Sequence, residues 1–275
     1  MDLIHLSTIA IEAALTAGKI IQKYANENIS VEKKKEGTSV ASQVVTVVDK
    51  ECEQAILSYL IPTCEAYDLA LLSEETEDDG SRFVKDFFWC IDPMDGTLAF
   101  IHKRPGYSVS IALVAKDGTP QIGVVFDPIT DTLYHAIKGN GAFKNNTPWN
   151  IKHTNDHLTY VSDRNLKNTR NADQIEKILQ AQVDKLNLQG IKEMAGSGAV
   201  LNGILVLENG PACMMKQPKK EKGGGSVWDF AATACIFQEL GLRAANFTGG
   251  KLDLNRKEGT FMNEGGVFYA NLPLD

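Results

Sequence analysis

Apolar residues open the chain at helical spacing. Between Leu3 and Ala25, Ile4, Ile11, Leu15, Ile21 and several alanines fall on one stripe, with Glu12, Lys19 and Lys23 off it. This pattern predicts an amphipathic helix. Asn26 to Gln43 is polar and carries Lys33, Lys34 and Lys35 in a row before Gly37, which reads as a loop or hairpin. Thr46 then opens a helix running to Leu60, with Asp49 near its first turn. The run "LALLSEETEDDG" ends an apolar stretch in a cluster of acids, and Phe87 to Ile91 reads as a strand. Short alternating runs follow: "YSVSIALVA", "QIGVVFDP", "TLYHAIKG" and "GAFKNN". Turn signals at Lys116-Asp117-Gly118, Asp127-Pro128 and Gly139-Asn140-Gly141 separate them, as in an antiparallel sheet.

Past Asn150 the texture changes. "LTYVSD" reads as a strand, Asp173 to Lys185 as a helix, "GIKEM" as a strand and "GSGAVLNGILVLENG" as a small-residue helix. "PACMMK" is another strand, and "WDFAATACIFQELG" an apolar helix stopped by Gly241. Strands alternating with helices predict an α/β half. The chain is thus expected to divide into an N-terminal α+β half, residues 1–150, and a C-terminal α/β half, residues 151–275.

Composition narrows the class. A hydrophobic content of 43% over 275 residues is ample for a large core. A net charge of -7 argues against a nucleic-acid polymer or an anionic membrane as partner, but leaves room for a small anionic substrate. The five cysteines are scattered and form no CxxC pair, so core packing is expected of Cys90, Cys213 and Cys235 rather than a disulfide framework or a zinc site. The first residues lack the basic segment and cleavage site of a signal peptide, and no apolar run is read as membrane-spanning. A reducing, cytoplasmic setting is expected.

Chemistry concentrates in "WCIDPMDGTLAF". Asp92 and Asp95 flank Pro93-Met94, so they can face one place if the strand bends there. Two carboxylates held together are costly unless one is protonated or a cation binds them, and Mg²⁺ prefers oxygen ligands. Gly96 permits close backbone approach, and Thr97 offers a hydroxyl. A helix starting there would present free N–H groups to an anion. The alternative is a plain turn capped by aspartates. Glu74 and Glu75 end one apolar run, Asp49 follows another, and Asp229 begins an apolar helix; each alone reads equally as a cap or a solvated acid. Glu77, Asp78 and Asp79 are expected to be solvated.

"DPMDGT" (92–97), "SEE" (73–75), "VTVVD" (45–49) and "WDFAA" (228–232) together resemble the inositol monophosphatase superfamily, in that family's order and at distances of its usual kind. "FIHKRPGYSVSIAL" and "KGNGAFKNN" are similar as well. The resemblance implies a layered α/β/α/β/α sugar-phosphatase fold, with an antiparallel N-terminal sheet, a mixed C-terminal sheet and helices on both, and a homodimer. It implies two or three Mg²⁺ ions held by Glu74, Asp92, the Met94 carbonyl, Asp95 and Asp229. Asp49 would serve a weaker metal and the attacking water, Glu74 and Thr97 would orient that water, and Gly96 and Thr97 N–H groups would hold phosphate oxygens. Hydrolysis would proceed by direct attack of water, with no phospho-enzyme and no histidine nucleophile.

The same resemblance sets Gly196, Ser197 and Gly198 against the leaving group. Where inositol phosphatases carry an acid before the Trp-Asp motif, this chain reads "KQPKKEKGGGSVWD": Glu221 is one place off the spacing and Lys222 stands at it. Lys216, Lys219, Lys220 and Lys222 suit either a solvated loop or a second substrate phosphate. The expected activity is that of an inositol monophosphatase on a small phosphomonoester. 3'(2'),5'-Bisphosphate nucleotidase and fructose-1,6-bisphosphatase are the enzymatic alternatives, and a protein-partner role of the same fold the non-enzymatic one.

Overall fold

Each apolar stripe finds a layer to cover in the computed structural model, which describes residues 1–25, 31–33, 44–163, 166–169 and 171–273. The first layer pairs α1 (Leu3–Tyr24) with α2 (Val47–Tyr67). Asp2 caps α1 by accepting from His5 N at 3.0 Å. Its inner face is Leu6 and Ile21 with a run of alanines, all fully buried, whose small size lets α1 lie close on α2 and the sheet.

A seven-stranded sheet forms the second layer. Its order is β3 (Ala70–Ser73), β4 (Phe87–Asp95), β5 (Ser108–Ala115), β6 (Pro120–Asp127), β7 (Thr132–Ile137), β8 (Gly141–Lys144) and β9 (Thr147–Pro148). Its central strands read as nearly continuous apolar runs because both faces are covered. The third layer, α5 (Ala199–Glu208) and α6 (Val227–Glu239), packs between this sheet and a five-stranded one. That fourth layer has the order β11 (Ile191–Ala195), β10 (Leu158–Ser162), β12 (Ala212–Lys216), β14 (Val267–Asn271), β13 (Arg243–Ala245). Strand β10 is parallel to both neighbours and β14 antiparallel to both of its own. The helix α4 (Ala172–Lys185) covers the far face as the fifth layer. The fold is the expected α/β/α/β/α stack.

Several local expectations change. Strands β4 to β9 are antiparallel, but β3 runs parallel to β4, so the first sheet is mixed. The connection between them, residues 74–86, is long enough to cross over rather than turn back. Helix α2 begins after a short strand β2 (Val44–Thr46) and continues past Leu60, through Pro62, to Tyr67. Pro62 is exposed, so water can take the carbonyl it leaves unpaired. Asp78 is not simply solvated. It accepts from the wholly buried Arg82 at 2.8 Å, while Arg82 also donates to Asn255 at 2.6 Å, tying the acidic loop to the far end of the chain. Helix α1 passes length and composition tests for a membrane span, unlike the sequence reading, yet its apolar face lies in the core. Of the polar stretch 26–43, Val31–Lys33 forms β1, antiparallel to β2; the remainder, with Lys34 and Lys35, lies outside the described residues. All five cysteines are free thiols, four of them buried. Burial pushes the Cys213 thiol up to about 12, which suits packing rather than reactivity.

Candidate active site

Residues three apart on a regular strand point to opposite faces. Asp92 and Asp95 escape that rule because β4 bulges between them. Asp92 pairs with Ser110 and Asp95 with Ser108, so three steps on β4 oppose two on β5. The additional residue returns both carboxylates to one side. Met94 N donates to Asp92 Oδ1 at 3.1 Å and fixes the bend.

Asp229 arrives from the other half through a capping box. In "SVWD", Ser226 receives the Asp229 N–H on its side chain, and Asp229 Oδ2 accepts from Ser226 N at 2.7 Å. Asp229 is thereby held at the start of α6. Oxygen atoms of Asp92, Asp95 and Asp229 lie within 4.8 Å of one another.

Helix α5 supplies the third support. Asp95 accepts from Ala199 N at 3.1 Å and from Val200 N at 2.8 Å, two donors of the first turn of that helix. Gly198 makes the approach possible: a Cβ there would stand 2.2 Å from Asp95 Oδ2. The Gly196-Ser197-Gly198 segment therefore meets the carboxylate cluster, and Gly198 N donates to Gly106 O at 2.7 Å. Gly96 has φ +87°, and a Cβ on it would meet the Gly106 carbonyl at 2.3 Å, so only glycine fits between the bulge and α3 (Thr97–Ile101).

Electrostatics make the cluster expensive without a counter-ion. Burial, then the charges of Glu74, Asp95 and Asp229, push the Asp92 carboxyl well above the usual carboxylate range. Asp95 is raised by burial and by Asp229, against the two helix N–H donors that lower it. Burial also raises Asp229, opposed by the Ser226 N–H and by Lys216. Among the described residues, none donates a hydrogen bond to the buried Asp92 Oδ2. An orphaned carboxylate oxygen inside a ring of acids is the environment a hard divalent cation satisfies, so the residues fit a bound metal.

The remaining expected residues stand around this triad. Asp49, 3% exposed in the first turn of α2, accepts from the Thr97 hydroxyl at 3.5 Å. That hydroxyl also donates to the Met94 carbonyl at 3.2 Å. Glu74 is not among the acids within 4.8 Å of one another, but its charge bears on Asp92 and Asp95; its main chain is pinned by Glu74 N donating to Ile91 O at 3.1 Å. His102 is exposed at the end of α3, where its backbone N–H donates to the Leu98 and Phe100 carbonyls.

Two features escaped the sequence reading. Glu53, buried on α2, accepts from Ser73 Oγ and from Thr76 Oγ1, the latter at 3.1 Å. It clamps both flanks of Glu74 to the helix that carries Asp49. The available signal was its i+4 spacing from Asp49, which sets both on one helix face. The second is Asp163, the partner of the expected candidate Lys216. The Lys216 side chain is only 14% exposed, and its ammonium pairs with Asp163 at 2.8 Å rather than lying in a solvated loop.

Residues 2–272 match the family model described as the inositol monophosphatase family. The chain is 33% identical over 131 residues to inositol-1-monophosphatase of Bacillus subtilis (strain 168), spanning 48% of this chain and 47% of that protein. It is 28% identical over 250 residues to inositol monophosphatase 1 of Xenopus laevis, spanning 90% of this chain and 84% of that one. It is 29% identical over 248 residues to Nus factor SuhB of Pasteurella multocida (strain Pm70), spanning 88% and 85%. Among solved structures, the inositol monophosphatase of Thermotoga maritima superposes with a TM-score of 0.70 at 22% identity, covering 98% of this chain and 92% of that one. A dual inositol monophosphatase/NADP phosphatase complexed with NADP and Ca²⁺ superposes with a TM-score of 0.74 at 19% identity, covering 98% and 92%.

Proposed function

The chain belongs to the inositol monophosphatase family, and on that premise we propose that it is a Mg²⁺-dependent phosphatase acting on a small, inositol monophosphate-like phosphomonoester. The observation that carries this reading is the triad of buried Asp92 and Asp95 with half-buried Asp229, and the Asp92 oxygen that has no partner among the described residues. Asp92, Asp95, Asp229, Glu74 and the Met94 carbonyl would hold two or three Mg²⁺ ions. When bound, these neutralise phosphate oxygens and acidify a water molecule. The chain's own groups do the rest. Thr97 keeps lone pairs to accept from the attacking water while its one proton is shared between Met94 O and Asp49. Glu74 stands beside the cluster as a proton acceptor, and Asp49 orients Thr97. The N–H groups of Gly96 and Thr97 receive the phosphate, and the segment 196–198 borders the departing alcohol. Water attacks phosphorus, the ester P–O bond breaks, and the alcohol oxygen takes up a proton. A homodimer and a cytoplasmic location belong to the same proposal; five free thiols suit a reducing compartment.

The test is phosphate release, with and without Mg²⁺, from inositol 1-phosphate, adenosine 3',5'-bisphosphate, fructose 1,6-bisphosphate and a nucleoside 2'-monophosphate. Wild type is run beside Asp95→Asn. Mg²⁺-dependent release lost in the variant is expected. No release from any of them overturns the catalytic reading. A regulatory protein-partner role is the second reading, favoured by the similarity to Nus factor SuhB. It predicts a stable complex that survives Asp95→Asn.

A further inference from the structure

Beside the triad lies a cavity of about 340 Å³ lined by Tyr160, Ser162, Asp163, Thr169, Lys216 and Gly224, among others. It lies one residue from the carboxylate cluster: the residue after Gly224 is Gly225, where a Cβ would stand 2.7 Å from Asp229 Oδ2. The charges of Asp229 and Asp95 also act on Lys216. The cavity is thus within reach of the far side of an alcohol whose phosphate is on the cluster and whose near side meets the segment 196–198.

The cavity wall carries a preformed ion pair. Lys216 Nζ donates to Asp163 Oδ1 at 3.0 Å and Oδ2 at 2.8 Å, and Asn202 Nδ2 on α5 donates to the same Oδ1 at 3.1 Å. The ammonium also lies 5.6 Å from the centre of the Phe230 ring. A lysine held by both oxygens of one carboxylate is a poor receptor for a second phosphate, which would have to displace or repel Asp163. A free alcohol meets no such conflict. It can accept from the ammonium and donate to the carboxylate.

Resting on the phosphatase reading above, we propose that Asp163 and Lys216 form a specificity filter in the leaving-group cavity, admitting an uncharged, hydroxyl-bearing alcohol and excluding one that carries a second phosphate. Asp163 is the excluding element and Lys216 the receptor it masks.

The test compares wild type, Asp163→Asn and Lys216→Met on inositol 1-phosphate and fructose 1,6-bisphosphate. Binding of adenosine 3',5'-bisphosphate is measured by calorimetry in parallel, so that the outcome does not depend on turnover. Asp163→Asn is expected to tighten bisphosphate binding and lower its KM by about tenfold, the scale of one charge-assisted hydrogen bond. Its kcat on inositol 1-phosphate should hold while KM rises. Lys216→Met should weaken the monophosphate without gaining the bisphosphate. Wild type that binds the bisphosphate as tightly as Asp163→Asn overturns the filter, whatever the activity. Absence of turnover from every substrate, with the binding shift present, overturns the phosphatase reading and leaves the filter standing.

Discussion

At the scale of single residues, the acids of the site are held against their own repulsion. Asp92 is the extreme case: wholly buried, near three other acids and, among the described residues, without a partner on Oδ2. Asp92→Asn should therefore do two opposite things. Phosphate release should fall by about 10²-fold or more, the scale of losing a group that organises a metal or transition state. The metal-free protein should become more stable, by a Tm rise of about 2–4 °C for each kcal/mol recovered. Thermal unfolding in a chelator checks it. The pH dependence follows from the same shifts. Below about pH 4, folded and unfolded chains both keep these protons. Above it the unfolded chain loses them first, while the raised folded groups retain theirs. Through that window the folded state binds more protons, so stability contributed by the cluster falls as pH rises. In chelator, the Tm gap between Asp92→Asn and wild type should widen with pH over that interval, and excess Mg²⁺ should close it for wild type. A gap that is constant with pH, or one that Mg²⁺ leaves open, contradicts the account. The types of these residues were legible in the sequence. Their convergence was not, since by alternation alone Asp92 and Asp95 would diverge, and only the bulge brings them together.

At the scale of elements, the site depends on how helix starts are aimed. The start of α2 carries Asp49, the start of α5 grips Asp95, and the start of α6 carries Asp229. The sequence announces the last of these through its S-x-x-D capping box and the first through Thr46 ahead of the apolar run. The grip of α5 on Asp95 joins residues more than a hundred positions apart, so no local pattern encodes it. Gly198→Ala tests that contact. With a Cβ 2.2 Å from Asp95 Oδ2, the helix or the carboxylate must move. A shift of this kind should cost about 10²-fold in kcat while the fold survives. Glu53 tests the other approach. Glu53→Gln keeps the size but weakens the acceptor for Ser73 and Thr76, loosening Glu74. The expected result is a loss of about tenfold or more in Mg²⁺ affinity. It would be read both from the Mg²⁺ needed for half-maximal phosphate release and from the Mg²⁺-induced rise in Tm. A purely structural Glu53 would lower Tm equally with and without Mg²⁺.

At the scale of the molecule, the two halves expected from the sequence, 1–150 and 151–275, meet through a shared core. One cluster of buried residues contains Phe88, Cys90, Ala112 and Val125 from the first sheet together with Val200, Ile204, Phe230 and Tyr269 from the C-terminal part. Helix α6 packs directly on β5, β6 and β7 while its first turn delivers Asp229 to Asp92 and Asp95. The carboxylate triad is thus assembled only when α6 is seated on the first sheet. We propose that the halves unfold together rather than in sequence, because separating them would expose the core cluster and break the triad in one step. Gly123 is the place to press on this. On β6 it lets α6 approach so closely that a Cβ would stand 2.2 Å from the Ala232 carbonyl, a backbone atom with no rotamer to escape into. Gly123→Val should force α6 off the sheet, costing about 1–3 kcal/mol as an overpacked contact or more if the helix cannot shift. If the halves are one cooperative unit, denaturant unfolding of the variant followed by tryptophan fluorescence and by circular dichroism should give a single coincident transition at lower denaturant. The Mg²⁺-induced stabilisation should shrink in parallel, since the seat of α6 and the spacing of the carboxylates are the same structural fact. Two separated transitions, with Mg²⁺ stabilising only one, would instead mean that each half folds on its own and that the site is a junction between independent units.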